Sequence, residues 1–191
     1  LSHKKLTAVD LLPLIDKIAD KLPGWKAALM HPAGRNVLVK AVLTAIPIHH
    51  LMVLQCPKWV LKAIDKIKRG FLRKGRRDIR GGHCLVNWGR VCRPIELGGL
   101  GIHNLEALGW SLCMRWLWFK KTQLDRPWTE FDIQVHPIAA AMFAASVVSI
   151  VGDGANTLFW QDRWIQGHSL SVLAPSLCRL VPSKFKRGRT V

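Results

Sequence analysis

The sequence predicts a mainly α fold, a helical bundle with a small β-hairpin in its C-terminal part. Three observations predict it. Apolar residues recur at helical spacing through much of the chain before residue 122. Of its 191 residues 49% are apolar, enough for the core of one or two small domains and unlike a disordered composition. Finally, Gly152-Asp153-Gly154 is a turn signal between two short apolar segments.

The first helix is expected to begin at Thr7, whose hydroxyl caps the first turn with Asp10 three residues on. Leu11, Leu14, Ile15, Ile18 and Leu22 form its apolar stripe, and Pro23-Gly24 stops it. A second helix is expected over residues 34–45, with Val37, Leu38, Ala41, Val42 and Ala45 on one side and Pro47 breaking it. A short apolar segment, 48–54, follows. Pro57 suits the first position of a third helix. There Val60, Ile64, Ile67 and Phe71 share one stripe, and Lys58, Lys62, Lys66, Arg69 and Arg73 share another. At about 100° per residue the stripes lie opposite each other, one for the core and one for solvent.

Beyond it, residues 75–82 read as a glycine-bearing charged loop and 84–88 as a short strand. Residues 94–101 read as turns. Asn104 is the expected cap of a fourth helix carrying Leu105, Leu108, Leu112, Trp116 and Phe119. Residues 137–145 suit a short helix, and the hairpin is expected within 148–159. The tail from Pro182 is basic and expected to be loose. The expected organisation is 1–94, a helical region with the basic helix; 95–181, a connecting region; and 182–191, the tail.

Charge is the strongest functional signal. Twenty-nine Lys and Arg stand against twelve Asp and Glu, a net +17. Such a surplus repels itself unless a polyanion screens it. Nucleic acid is the commonest such partner, with an anionic membrane surface as the rival. Between residues 57 and 93, twelve Lys and Arg face only Asp65 and Asp78. Internal salt bridges cannot satisfy a run so nearly of one sign, which points to phosphates.

Other classes fall away. Five cysteines, an odd count without tight spacing, argue against a disulfide framework. Residues 37–54 carry Lys40, Pro47, His49 and His50, and 138–151 falls short of a spanning helix. Both read as core, with no transmembrane segment. The chain opens on Leu1, not Met, in a charged stretch unlike a secretory signal, and is expected to be a fragment. Metal-dependent phosphoryl transfer needs clustered carboxylates, and no two acidic residues are adjacent. Asp153 reads as a turn residue and Asp162 as a salt-bridge partner of Arg163. The histidines are scattered, one of His49 and His50 reading as a satisfied interior residue, and no Ser or Cys sits in a nucleophile motif. His83, Cys84, Cys92 and His103 lack zinc-site spacing. Gly98-Gly99-Leu100-Gly101 lacks the full glycine fingerprint of a nucleotide loop. No catalytic residue, metal site, cofactor or small-molecule substrate is therefore expected. The expected nucleic-acid-binding set is Lys58, Lys62, Lys66, Arg69, Arg73, Lys74, Arg76 and Arg77.

An ordered series of short motifs sharpens this. Leu22-Pro23-Gly24-Trp25-Lys26, Gly34-Arg35, Val39-Lys40-Ala41-Val42-Leu43, Ala45-Ile46-Pro47 and Pro57-Lys58-Trp59 come first. Phe71-Leu72, Gly81-Gly82-His83-Cys84-Leu85-Val86, Trp88, Cys92-Arg93-Pro94 and Leu97-Gly98-Gly99-Leu100-Gly101-Ile102 follow. Arg115-Trp116-Leu117-Trp118, Arg126-Pro127-Trp128, Gly152-Asp153-Gly154, Phe159-Trp160, Asp162 and Trp164 complete the series. Together they resemble the reverse transcriptases of plant LINE-type (non-LTR) retrotransposons. Arg73 departs from the Trp that family members often carry after Phe-Leu, which suits an enlarged basic ridge or a degenerate copy.

The resemblance implies a thumb-like bundle and the segment connecting it to a zinc-binding region. In the family the palm, with its paired metal-binding aspartates, lies N-terminal to these motifs, and the zinc-binding region lies C-terminal. No catalytic residue of the family maps onto this chain. The expected function is thus that of a polymerase fragment, not an enzyme by itself, inside the cell. It would bind the backbone of RNA, an RNA–DNA hybrid or DNA duplex without sequence preference. The alternatives are a decayed remnant without selected function and a basic membrane-surface protein.

Overall fold

The computed structural model describes residues 7–22, 29–54, 56–75, 87–123, 125–127 and 135–191. The protein is mainly helical, and no β-sheet forms among the described residues. It divides into two compact units, Leu1–Cys113 and Met114–Val191. The expected boundary near residue 94 falls inside the first unit, because Ile102 and Leu105 are buried in the same core as the helices before them.

In the first unit, α1 (Ala8–Asp20) starts where Thr7 predicts. The Asp10 carboxylate accepts both the Thr7 backbone N–H (2.8 Å) and its hydroxyl (2.7 Å). These two bonds hold the Asp10 carboxyl below its ordinary range. Leu11, Leu14 and Ile18 are buried, and Ile15 and Leu22 pack beside them. The Pro23-Gly24 stop lies outside the described residues.

The second helix departs from expectation. α2 (Pro32–Leu38) gives way to a π-helical turn, Val39–Leu43. Val39 and Leu43 are the buried pair, while Val37 is 64% exposed and Ala41 and Ala45 face solvent. The segment is apolar on several sides: of the expected stripe Leu38 does pack against the core, but periodicity alone did not single out Val39 and Leu43. Residues 48–53 form a further helix, α3 (Ile48–Val53), which buries Leu51. His49 is exposed, and His50 is half-buried with its Nδ1 lacking a protein partner, so neither is the satisfied interior histidine expected there.

α4 (Lys58–Lys74) is the longest helix of the unit's core, with Pro57 at its N-cap and Gly75 closing it in the left-handed conformation (φ 64°). Gly75 donates its N–H to the Phe71 carbonyl at 2.8 Å. Val60, Leu61, Ile64 and Phe71 are buried against α1 and the π turn. Each such side chain contributes about 1.5–3 kcal/mol relative to exposure. α5 (Trp88–Val91) is a single turn capped by the Asn87 side chain, which accepts the Gly89 N–H at 2.7 Å. Trp88 is thus helical and not the end of a strand, and residues 84–86 lie outside the described set. A 3₁₀ turn, Ile95–Leu97, doubles the chain back so that Leu100 N–H meets the Val91 carbonyl at 2.9 Å. A Cβ on Gly99 would sit 2.0 Å from the Arg93 carbonyl oxygen, so that return requires glycine. Asn104 caps α6 (Leu105–Thr122) as expected, accepting the Glu106 and Ala107 N–H groups.

The second unit holds the end of α6, α7 (Pro137–Ser146), α8 (Leu170–Leu173), α9 (Pro175–Leu180) and α10 (Ser183–Gly188). The hairpin expected over 148–159 does not form. Gly152–Gly154 is a bend, but its flanks pair elsewhere: Ser149 N–H with the Arg163 carbonyl, and Phe159 N–H with the Arg189 carbonyl. The tight antiparallel turn lies instead at Ile165–His168, which exchange both backbone bonds around Gln166 (φ 48°) and Gly167 (φ 77°). The tail is not loose. α10 occupies it, Thr190 bridges Leu158, and Val191 donates to the Thr157 carbonyl at 3.0 Å.

Candidate nucleic-acid interface

α4 presents the predicted ridge. Lys58, Lys62, Lys66, Arg73 and Lys74 are exposed on the side away from Val60, Ile64 and Phe71. Lys58 lies 3.8 Å from Glu106 across exposed surface, a weak pairing in water. Among the described residues no acidic side chain pairs with Lys62, Lys66 or Lys74. Arg69 is half-buried: its Nε donates to the Asp65 carbonyl at 3.3 Å, and its guanidinium stands 5.8 Å over the Trp88 ring. Arg76 and Arg77 lie outside the described residues.

Lys68 belongs to the same basic run but sits on the opposite side of the helix. It is fully buried, one turn after Ile64. Its ammonium donates to the Thr44 hydroxyl at 3.1 Å, and that hydroxyl donates to the Val39 carbonyl at 2.9 Å. Burial pulls the Lys68 amine down to about 8, against the attraction of Asp65. Burial likewise raises the Asp65 carboxyl, with Lys68 opposing. The Trp88 indole N–H also favours the Asp65 carboxylate, although no well-formed hydrogen bond joins them. The Cys92 thiol is pushed up to about 11, mainly by burial. It therefore stays a thiol at neutral pH, a poor metal ligand and nucleophile.

Two residues that the helix pattern did not single out stand beside the ridge, on α5. Arg90 and Trp88 on α5, with Arg69 and Arg73 on α4, line a cavity of about 490 Å³ together with Leu72, Val91 and Leu100. Arg90 was visible in the charge run, but its distance from α4 in sequence hid the juxtaposition. Gly98 and Gly99 line the cavity as a plain turn and form no phosphate loop.

In the second unit Lys121, Asp162, Arg163 and Asp153 serve the fold. Lys121 pairs with Asp162 at 2.7 Å and donates to Ser149 Oγ at 2.9 Å. The other Asp162 oxygen accepts the Leu158 N–H at 2.8 Å. Asp162 thus pairs with Lys121 and not with Arg163, whose guanidinium donates to the Gly167 and Ala145 carbonyls. Asp153 accepts the Ala155 N–H within its bend. Among the described residues no three His, Cys, Asp or Glu side chains cluster closely enough to hold a metal ion. Nor is any described helix long and apolar enough to cross a membrane.

No family model matches the chain, and no solved structure matches it. The chain is 27% identical, over 205 aligned positions, to an Arabidopsis thaliana protein named "Putative ribonuclease H protein". The alignment covers 90% of this chain, which spans about a third (32%) of that relative's length.

Proposed function

We propose that the chain is a backbone-gripping part of a retroelement polymerase, the thumb and connecting segment of a LINE-type reverse transcriptase, and that it binds duplex or RNA without catalysing a reaction itself. The observation that carries this reading is the exposed face of α4, where Lys62, Lys66 and Lys74 stand without acidic partners among the described residues. Cations held in a row on a rigid helix meet phosphates at low entropic cost and read no bases. The ordered motif series supports the retroelement assignment. The similar Arabidopsis protein carries the name of a nucleic-acid-processing activity, which agrees with the partner class.

The test is binding of the chain to a duplex and to single-stranded RNA across a salt series. Affinity should fall with a log–log slope of about −0.9 per phosphate neutralised on B-form DNA and about −0.7 on single strands. Lys62→Gln, Lys66→Gln and Lys74→Gln together should weaken binding to all sequences alike and make the slope shallower by up to about three such increments. An unchanged slope would show that the ridge is merely solvated. Stronger binding to anionic vesicles than to either nucleic acid would favour the membrane-surface alternative. Non-cooperative thermal unfolding would favour a decayed remnant.

A further inference from the structure

The ridge does not simply end at the C-terminus of α4. Arg69 and Arg73 lie near its end on that helix, and both also line the cavity beside α5 and the returning 94–100 segment. Arg90 contributes a third guanidinium from α5. Its apolar lining is Leu72, Trp88, Val91 and Leu100, and among the described residues no acidic one lines it. At about 490 Å³ it has the size of a small-molecule site and is too small for a duplex. It therefore suits a ligand with one flat apolar body and attached anionic groups.

We infer that this cavity takes a single unpaired nucleotide of a strand whose neighbouring phosphates lie on the ridge. The base rests on the Leu72–Trp88–Leu100 lining, and its flanking phosphates meet Arg73 and Arg90. Arg69, held over Trp88, offers a planar guanidinium beside the base. Phosphates are common to every nucleotide and the apolar lining lacks a hydrogen-bonding code, so any base is accepted. The consequence is structural selectivity: a duplex with an unpaired terminal nucleotide is preferred over a blunt one. This rests on the proposed backbone grip, since the ridge delivers the strand to the cavity.

The experiment compares three duplexes of one sequence with the whole chain: blunt, with a one-nucleotide overhang, and with an abasic overhang. The overhang should strengthen binding about tenfold over blunt, the range base–aromatic stacking supplies, and the abasic overhang should recover little of it. Arg90→Gln, at an exposed position off the ridge, should abolish most of that preference while leaving blunt-duplex affinity nearly unchanged. Lys62→Gln with Lys66→Gln should weaken all three duplexes equally and leave the preference intact. Equal binding of blunt and overhanging duplexes by the parent chain would overturn the inference. So would an Arg90→Gln effect of equal size on both, which would make Arg90 one more phosphate contact. If the parent binds no duplex, the backbone grip fails, and calorimetry with a nucleoside monophosphate tests the cavity alone. Absence of binding there overturns it as well.

Discussion

Lys62 and Lys121 are the same residue type put to opposite uses. On α4, Lys62, Lys66 and Lys74 project into solvent without a carboxylate among the described residues. In the second unit Lys121 is held by Asp162 and Ser149, and Arg163 by two backbone carbonyls. A net charge of +17 is therefore a poor guide to a binding surface unless each cation is asked what already holds it. Those engaged internally stabilise the fold, and those left over are available to a polyanion. Lys68 is a third case, a cation engaged internally but by a neutral hydroxyl, and so held at the expense of stability.

Lys68 gives the largest expected effect. Its amine titrates near 8 when folded and near 10.5 when unfolded. Below pH 8 it is protonated in both states, and the burial penalty is fully present. Between 8 and 10.5 the unfolded chain binds a proton that the folded chain does not, so stability rises with pH. The rise amounts to up to about 3 kcal/mol at about 1.4 kcal/mol per pKa unit. Cys92 works the other way, since its raised thiol lets the unfolded chain ionise first between about 9 and 11. Urea unfolding of the parent and of Lys68→Met at pH 7.5 and 10 separates the two. The parent should gain on the variant as pH rises, and parallel curves would mean that Lys68 reaches water.

The expected effect in the second unit is smaller. Asp162→Ala leaves Lys121 without its carboxylate and the Leu158 N–H without its acceptor, and should lower that unit's stability by about 2 kcal/mol. Adding Lys121→Met should restore part of it. A neutral Asp162→Ala would erase the contrast between engaged and available cations. Smallest is Lys58→Gln, which removes a pairing with Glu106 between exposed side chains. It should change stability by less than about 0.5 kcal/mol while still lowering nucleic-acid affinity slightly.

The two faces of α4 were legible because the apolar and cationic residues both recur at helical spacing on opposite sides. The caps at Thr7 and Asn104 were legible for the same local reason. Lys68 was not, because a charge suggests solvent, although its position four residues after Ile64 puts it on the buried stripe. The hairpin failed because a Gly-Asp-Gly bend says nothing of where its flanks pair. Here they meet residues 163 and 189, partners distant in sequence. Gly154 shows the result: at φ 81° its Cβ position lies 2.5 Å from the Val191 carbonyl oxygen. The cavity was illegible for a related reason, since Arg90 and Arg73 belong to elements separated by residues 76–86.

The π turn at Val39–Leu43 has a consequence for how this region tolerates length change. A π turn holds one residue more than the α-helical path needs. Deleting a residue there would let α geometry run on and leave the helix on either side nearly in register, because the residue lost is the one the wide turn absorbs. The Thr44 hydroxyl bonded to the Val39 carbonyl across five residues closes the wider ring, and Lys68 on α4 caps that hydroxyl from outside. The extra residue is thus clamped from a different helix, like a ratchet tooth held by its pawl. A single-residue deletion within 39–43 should be tolerated better beside Lys68→Met than alone, because only with the lysine in place is the wide ring enforced.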